Sequence, residues 1–145
     1  MNTTTSESTP SAEAAASNKQ LMQSIFAELA QGNGRPFREA MADDFCWKIA
    51  GHASWSREWK GKQAVIEGLL KPLYERFATT YTNQADDFIA EGDKVVVQCR
   101  GDVMTKSGQR YDNHYCMVFR LQGGQLRELV EYMDTELATR ALGAP

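Results

Sequence analysis

Between Tyr111 and Met133 the chain places several polar groups on what is otherwise an apolar face. Tyr111, Asn113, Tyr115, Met117, Phe119 and Leu121 occupy alternate positions, and side chains two apart in a strand share a face. Gln122-Gly123-Gly124-Gln125 follows, and a Gly-Gly pair between two alternating runs predicts a β-hairpin. The returning strand carries Leu129, Glu131 and Met133 on one side and Glu128, Val130 and Tyr132 on the other. A lone acid on an apolar face is costly to bury unless it has a partner or a task. Desolvation raises the pKa of such a carboxyl and makes it a usable general base near neutral pH. Glu131 is therefore the first catalytic candidate. Tyr115 and Asn113 are the candidate hydrogen-bond donors to a substrate oxygen or a developing oxyanion. Met117, Leu129 and Met133 are expected to line the substrate site, with Trp47 as its wall or floor.

Other chemistry-bearing residues have simpler explanations beside the functional ones. His52, Trp55 and Trp59 lie in the segment Gly51 to Gly61, which reads as a loop. A loop with aromatic residues beside a pocket mouth can act as a lid or a specificity element, and His52 and Trp55 are assigned to substrate binding on that ground. Asp134 directly precedes the last predicted helix, where an N-cap role explains it. Val95, Val97 and Cys99 alternate with Val96, Gln98, Arg100 and Asp102. That alternation sends Arg100 and Asp102 away from the core, as a surface ion pair of little energetic weight.

The elements that must position these residues can be read in order. Residues 1–16 are largely Thr, Ser, Ala and Glu with one Pro and no aromatic residue, a composition expected to form a mobile tail or at best a helical extension. Ser17 and Gln20 have capping-box spacing, and Leu21, Met22, Ile25, Phe26 and Leu29 form a helical stripe. A short helix opening at Arg35-Pro36-Phe37 ends at Asp43-Asp44, and Phe45 to Ile49 is a strand. Lys62 to Phe77 is a helix that Pro72 should kink or split. Strands follow at Tyr81–Ile89, Lys94–Thr105, Arg110–Leu121 and Leu126–Met133, then a helix at Thr135–Leu142. Helices followed by strands at hairpin spacing predict an α+β domain over residues 17–145, with helices on the concave face of a curved antiparallel sheet.

Composition narrows the function classes. A chain of 145 residues is most simply one domain. A net charge of -3 with no basic cluster argues against a nucleic-acid partner. Three cysteines, Cys46, Cys99 and Cys116, have no short spacing and read as buried free thiols of a reducing compartment. With His52 and His114 as the whole histidine complement, no metal site is expected. No phosphate-binding glycine loop is present, so no cofactor is expected. The absence of a membrane-length apolar run or a signal peptide predicts a cytoplasmic protein with no membrane association.

Phe45-x-Trp47, Gly51, Gly61-Lys62, Tyr111-Asp112-Asn113-x-Tyr115-Cys116-x-Val118-Phe119-Arg120 and Glu131-Tyr132-x-Asp134-Thr135 together resemble SnoaL-like proteins. These belong to the nuclear transport factor 2-like superfamily, with ketosteroid isomerases, polyketide cyclases and limonene-epoxide hydrolases. The resemblance covers about Asn18 to Leu142. It implies a cone-shaped α+β barrel with a deep apolar pocket, commonly a homodimer, that takes a small apolar, oxygen-bearing ligand. One scaffold hosts unrelated activities, so three readings stay open. The first is a cofactor-independent isomerase or cyclase with Glu131 as base. The second is an epoxide hydrolase, in which the resemblance turns Arg100 and Asp102 into the pocket beside Glu131, against the alternation. That reading lacks the water-holding Tyr and Asn, because Trp47 and Ile49 stand there. The third is a non-catalytic binding or interaction module. The outer face of the hairpin, with Cys116, Val118, Val130 and Tyr132, is the expected dimer surface.

Overall fold

The computed structural model describes residues 10–145. Helix α1 (Pro10–Leu29) is followed by α2 (Arg35–Ala40), β1 (Met41–Ile49) and β2 (Glu58–Lys60). A broken helix comes next: α3 (Lys62–Val65), a π-helical turn (Ile66–Leu70) and α4 (Lys71–Tyr74). Then come β3 (Thr82–Glu91), β4 (Lys94–Met104), β5 (Arg110–Tyr111), β6 (His114–Gln122), β7 (Gln125–Met133) and α5 (Thr135–Leu142).

Seven strands form one sheet in the order β2-β1-β7-β6-β4-β3, with β5 paired to β4. The sheet is mixed rather than purely antiparallel, because β1 runs parallel to β7. No hairpin joins the two: β2, the broken helix and β3 to β6 lie between them in the chain. The β6–β7 hairpin forms as its residues dictate. Gly123 and Gly124 adopt φ of 60° and 74°, the left-handed region that a tight two-residue hairpin turn needs and that glycine enters without steric cost. Leu121 pairs with Leu126 and Gln122 with Gln125.

The inward rows are apolar because the period of two holds along β4 and β6 and resumes after the irregularities in β1 and β7. Val95, Phe119, Leu126 and Leu129 are fully buried, while Tyr132 on the other face is 52% exposed. Phe119 meets both early helices: its ring centroid lies 6.1 Å from Phe26 of α1 and 6.1 Å from Phe37 of α2, edge to face in each case. Phe26 also meets Phe88 of β3 at 5.9 Å, and Phe37 meets Trp47 of β1 at 5.8 Å. These rings close the helices over the concave face.

Several local expectations are corrected. Helix α1 begins at Pro10, so the Ser17–Gln20 pair lies inside it and caps nothing; the alanine-rich stretch before it has high helix propensity. The rest of the expected tail, residues 1–9, lies outside the described residues. Asp43 and Asp44 lie within β1, where the register with β7 slips, and Asp44 accepts a 2.8 Å hydrogen bond from Arg127. Glu58–Lys60 of the expected loop is a strand on β1. The third helix is split as Pro72 requires, since Pro72 supplies no N–H to the preceding turn. Of the cysteines only Cys99 is buried; Cys46 and Cys116 are half-buried, and all three are free thiols. No described helix is long and apolar enough to cross a membrane.

Because Phe119 joins both helices to the sheet, Phe119→Ala is expected to cost about 3–5 kcal/mol of stability in urea unfolding. A loss below about 1 kcal/mol would show that these edge contacts do not hold the helices in place.

Candidate functional site

The concave face, the helices and the C-terminal segment enclose a cavity with about 820 Å³ of empty space, its open mouth included. Its walls come from widely separated parts of the chain. They include Phe26, Phe37, Trp47 and Leu69 on the apolar side, and Tyr81, Asn83, Tyr111, Tyr115 and Glu131 on the polar side.

Glu131 is placed by β-sheet register. It sits on β7 between Ile49 of β1 and Met117 of β6, so apolar side chains flank it on both sides. It is 5% exposed. Among the described residues its carboxyl has no salt bridge, and no side-chain hydrogen bond holds it. Burial alone pushes its pKa up, from 4.5 to about 8, because water no longer solvates the anion and no cation replaces it.

Next to it runs a chain of hydroxyls. Tyr115 Oη donates to Tyr111 Oη at 3.2 Å, and Asn113 Nδ2 donates to the same oxygen at 3.2 Å. The hydrogen of Tyr111 itself finds only the thioether of Met133, at 3.6 Å, a weak acceptor. Asn83 Nδ2 donates to Tyr81 Oη at 3.1 Å. Burial holds Tyr81 and Tyr115 well above the usual phenol range and pushes Tyr111 up to about 12. All three phenols therefore stay protonated, as donors, across the neutral range. Room for Tyr81 depends on Gly101: a Cβ there would lie 2.5 Å from Tyr81 Oη. Asn83 faces Gly101 in the β3–β4 register.

The remaining expectations divide. Trp47, Met117 and Met133 line the cavity, and Trp47 Nε1 is buried without a partner. Trp55 lines it too, but it is no lid: its indole Nε1 donates to Gly143 O at 2.7 Å, and the Arg76 guanidinium lies 4.9 Å from its ring centroid. Leu129 is fully buried beneath the cavity rather than on its wall. His52 is exposed on the loop, outside the cavity. Asn113 is not free to serve a ligand. Its Nδ2 also donates to Asp134 O at 3.0 Å, and its Oδ1 accepts from His114 N at 2.9 Å and Asp134 N at 3.2 Å. It ties the start of β6 to the end of β7.

Arg100 and Asp102 do not join Glu131. Arg100 makes a two-pronged contact with Asp86 on the outer face, at 2.9 Å, and Asp102 takes a hydrogen bond from Arg110 at 3.1 Å. The period of two decides this, because Cys99 and Gly101 already occupy the inward positions of β4. The acid–arginine–acid set that epoxide opening needs is therefore not assembled. Asp134, as expected, caps α5 by accepting from Leu137 N at 3.1 Å.

Tyr81, Asn83, Tyr111, Phe37 and Arg38 belong to the cavity without having been singled out as site residues. For Tyr111 the signal was present, since it opens the same alternating run as Tyr115. Tyr81 and Asn83 come from a strand that shows no sequence link to the hairpin.

The SnoaL-like domain family matches residues 22–129, and the chain belongs to that family. Solved structures share the fold. A protein from Jannaschia sp. CCS1, named provisionally a SnoaL-like polyketide cyclase, is 23% identical with a TM-score of 0.73, over 96% of this chain and 98% of its own. Bal32a, from a soil-derived mobile gene cassette, is 18% identical with a TM-score of 0.76, over 89% and 98%. A protein from Bacillus subtilis named provisionally an isomerase is 15% identical with a TM-score of 0.70, over 92% and 95%. No curated protein matches the chain in sequence.

Folding raises the Glu131 pKa from 4.5 to about 8, so the folded state holds this proton more tightly than the unfolded chain. The stability linked to it is complete below pH 4.5 and is lost as the pH rises to about 8. At about 1.4 kcal/mol per pKa unit the window spans roughly 3–5 kcal/mol. Glu131→Gln removes the charge and keeps the shape. It is expected to match the unsubstituted protein in urea unfolding at about pH 4 and to exceed it by roughly that amount at about pH 9. Parallel pH profiles for the two proteins would show that this carboxyl is not desolvated.

Proposed function

We propose that this SnoaL-like domain binds a small, mostly apolar, oxygen-bearing molecule in the cavity and moves a proton on it, as a cofactor-independent isomerase or cyclase. The observation that carries this reading is the Glu131 carboxyl, buried with no counter-ion beside neutral phenols. A structural acid would have a partner, because leaving one unpaired in an apolar wall costs stability. A group with a pKa of about 8 gains its basic form as the pH rises through that value, close to the range where general bases work best.

In this mechanism the Glu131 carboxylate removes a proton from a carbon next to a carbonyl of the ligand. The electron pair of the C–H bond moves toward the carbonyl oxygen, which becomes an enolate oxygen. Tyr111 supports that charge, since its hydrogen is held only by the Met133 sulfur and can turn to a better acceptor. Tyr115 and Asn113 fix the Tyr111 oxygen in place. Return of the proton from Glu131 to another carbon completes an isomerisation; alternatively the enolate carbon attacks a second carbonyl of the ligand, whose C=O π electrons pass to its oxygen, and that alkoxide takes the proton from Glu131, closing a ring and restoring the carboxylate. The family relationship and the two provisional names among its structural relatives, cyclase and isomerase, support this class of chemistry.

The dimer expected from the resemblance would use the outer face of the hairpin. Cys116, Val118 and Val130 are half-buried there, around the exposed Tyr132.

A probe independent of the natural substrate tests the base. The ring of 5-nitrobenzisoxazole opens when a base removes its C–H proton, with a visible phenolate product. Turnover is expected to rise with pH through about 8 and to fall by about 100-fold or more in Glu131→Gln. Equal turnover in the two proteins would remove Glu131 from the reaction.

A further inference from the structure

The cavity has an open mouth, bordered by the exposed Arg38 and Tyr74. It continues into a second, shallower groove, and the two share Leu29, Gly34, Arg38, Tyr74, Phe77 and Tyr81. Beyond that shared throat the groove adds Gly32, Arg35, Thr79 and Thr80. A ligand longer than the cavity would therefore leave its outer end among polar and cationic side chains.

Only two charged side chains line the cavity among the described residues: Glu131 inside and Arg38 at the throat. Their situations differ. Arg38 is exposed on α2, and its guanidinium lies 5.7 Å from the Tyr74 ring centroid. No carboxylate pairs with it among the described residues, whereas its neighbour Arg35 holds Glu39 at 2.7 Å. Five N–H donors in a planar fork, steadied over an aromatic ring and without an acid partner, suit an anionic oxygen group. The interior suits the opposite. An anion there would face the Glu131 carboxyl and lose its hydration with no cation to replace it.

We infer that the ligand is amphiphilic: an apolar, oxygen-bearing body that reaches Glu131, and an anionic oxygen group, carboxylate or phosphate, that stays at the throat against Arg38. This rests on the reading of the cavity as a ligand site. The charge pattern fixes the direction of entry, apolar end first. It also fixes which end of the molecule reacts, since the group held by Arg38 is kept away from the base.

The test uses four matched probes at neutral pH: 2-methylnaphthalene, 2-naphthoate, 2-naphthyl phosphate and 2-naphthylmethylammonium. Binding to the intact protein, to Arg38→Gln and to Arg38→Lys is followed by calorimetry or probe fluorescence. Arg38→Gln is expected to weaken the two anions by about five- to tenfold and to leave 2-methylnaphthalene within about twofold. Arg38→Lys should keep part of the anion affinity, as charge without the fork geometry. Raising the salt from about 0.02 M to about 0.3 M should shrink the difference between the intact protein and Arg38→Gln. The anion with the larger Arg38-dependent loss identifies the group, carboxylate or phosphate. Equal losses for all probes, no loss for the anions, or tighter binding of the ammonium than of naphthoate would each overturn the inference while leaving the cavity as a ligand site. Failure of 2-methylnaphthalene and both anions to bind the intact protein would overturn the ligand-site reading and this inference with it.

Discussion

A carboxyl group held in an apolar chamber without a counter-ion is the constraint around which this domain is organised. Such a group is stable only in its neutral form, or when a ligand brings it a partner. The rest of the interior follows from that. Ile49 and Met117 flank Glu131 in the sheet register, and the helices shut out water from above. The phenols beside it offer hydrogen bonds but no positive charge. A lysine or arginine in any of these places would turn the carboxyl into one half of a structural ion pair. The domain therefore keeps a chemically unsettled group on the wall of a cavity inside its apolar core.

Holding that arrangement is the work of aromatic edges and of a hydrogen-bonded seam. Phe26, Phe37 and Phe119 tie α1 and α2 to the inner face, so the roof of the chamber cannot lift without breaking several contacts together. At the other end Asn113 joins β6 to β7 and supports Tyr111 at the same time. Arg76 donates to the carbonyls of Leu142, Pro72 and Ala144, which binds the segment after α5 to the broken helix. Leu142 in turn lines the cavity. The stable parts of the fold and the parts that shape the ligand's space are thus the same contacts seen from two sides.

The polarity of the chamber has a direction. Its inner end carries a buried acid and its throat an exposed arginine, with aromatic walls between. A family fold by itself sets no substrate; the side chains that line the cavity set this gradient. Gly101 shows how fine the control is. It gives Tyr81 its place by lacking a side chain, so a residue with no chemistry of its own decides where a donor sits.

Much of the fold was legible because the relevant signals are local. The period of two, broken by Gly123-Gly124, determined the hairpin and the inward direction of Glu131, and Asp134 marked the start of α5. The same period set Arg100 and Asp102 outward, and the structure agrees with it over the family comparison. What the residues could not reveal was non-local. The parallel pairing of β1 with β7 joins segments some eighty residues apart, and no local pattern encodes which distant strand becomes a neighbour. Asn113 looked like a ligand donor until its amide proved to be saturated, which depends on where Asp134 lies in space. Tyr81, Asn83 and Arg38 entered the site only when the sheet curled and the helices closed over it. The sequence by itself determined which face each strand buries, because burial follows the backbone's own periodicity. Tertiary structure decided which buried polar groups find partners and which stay free, because that depends on contacts between distant segments, and the free ones define the site.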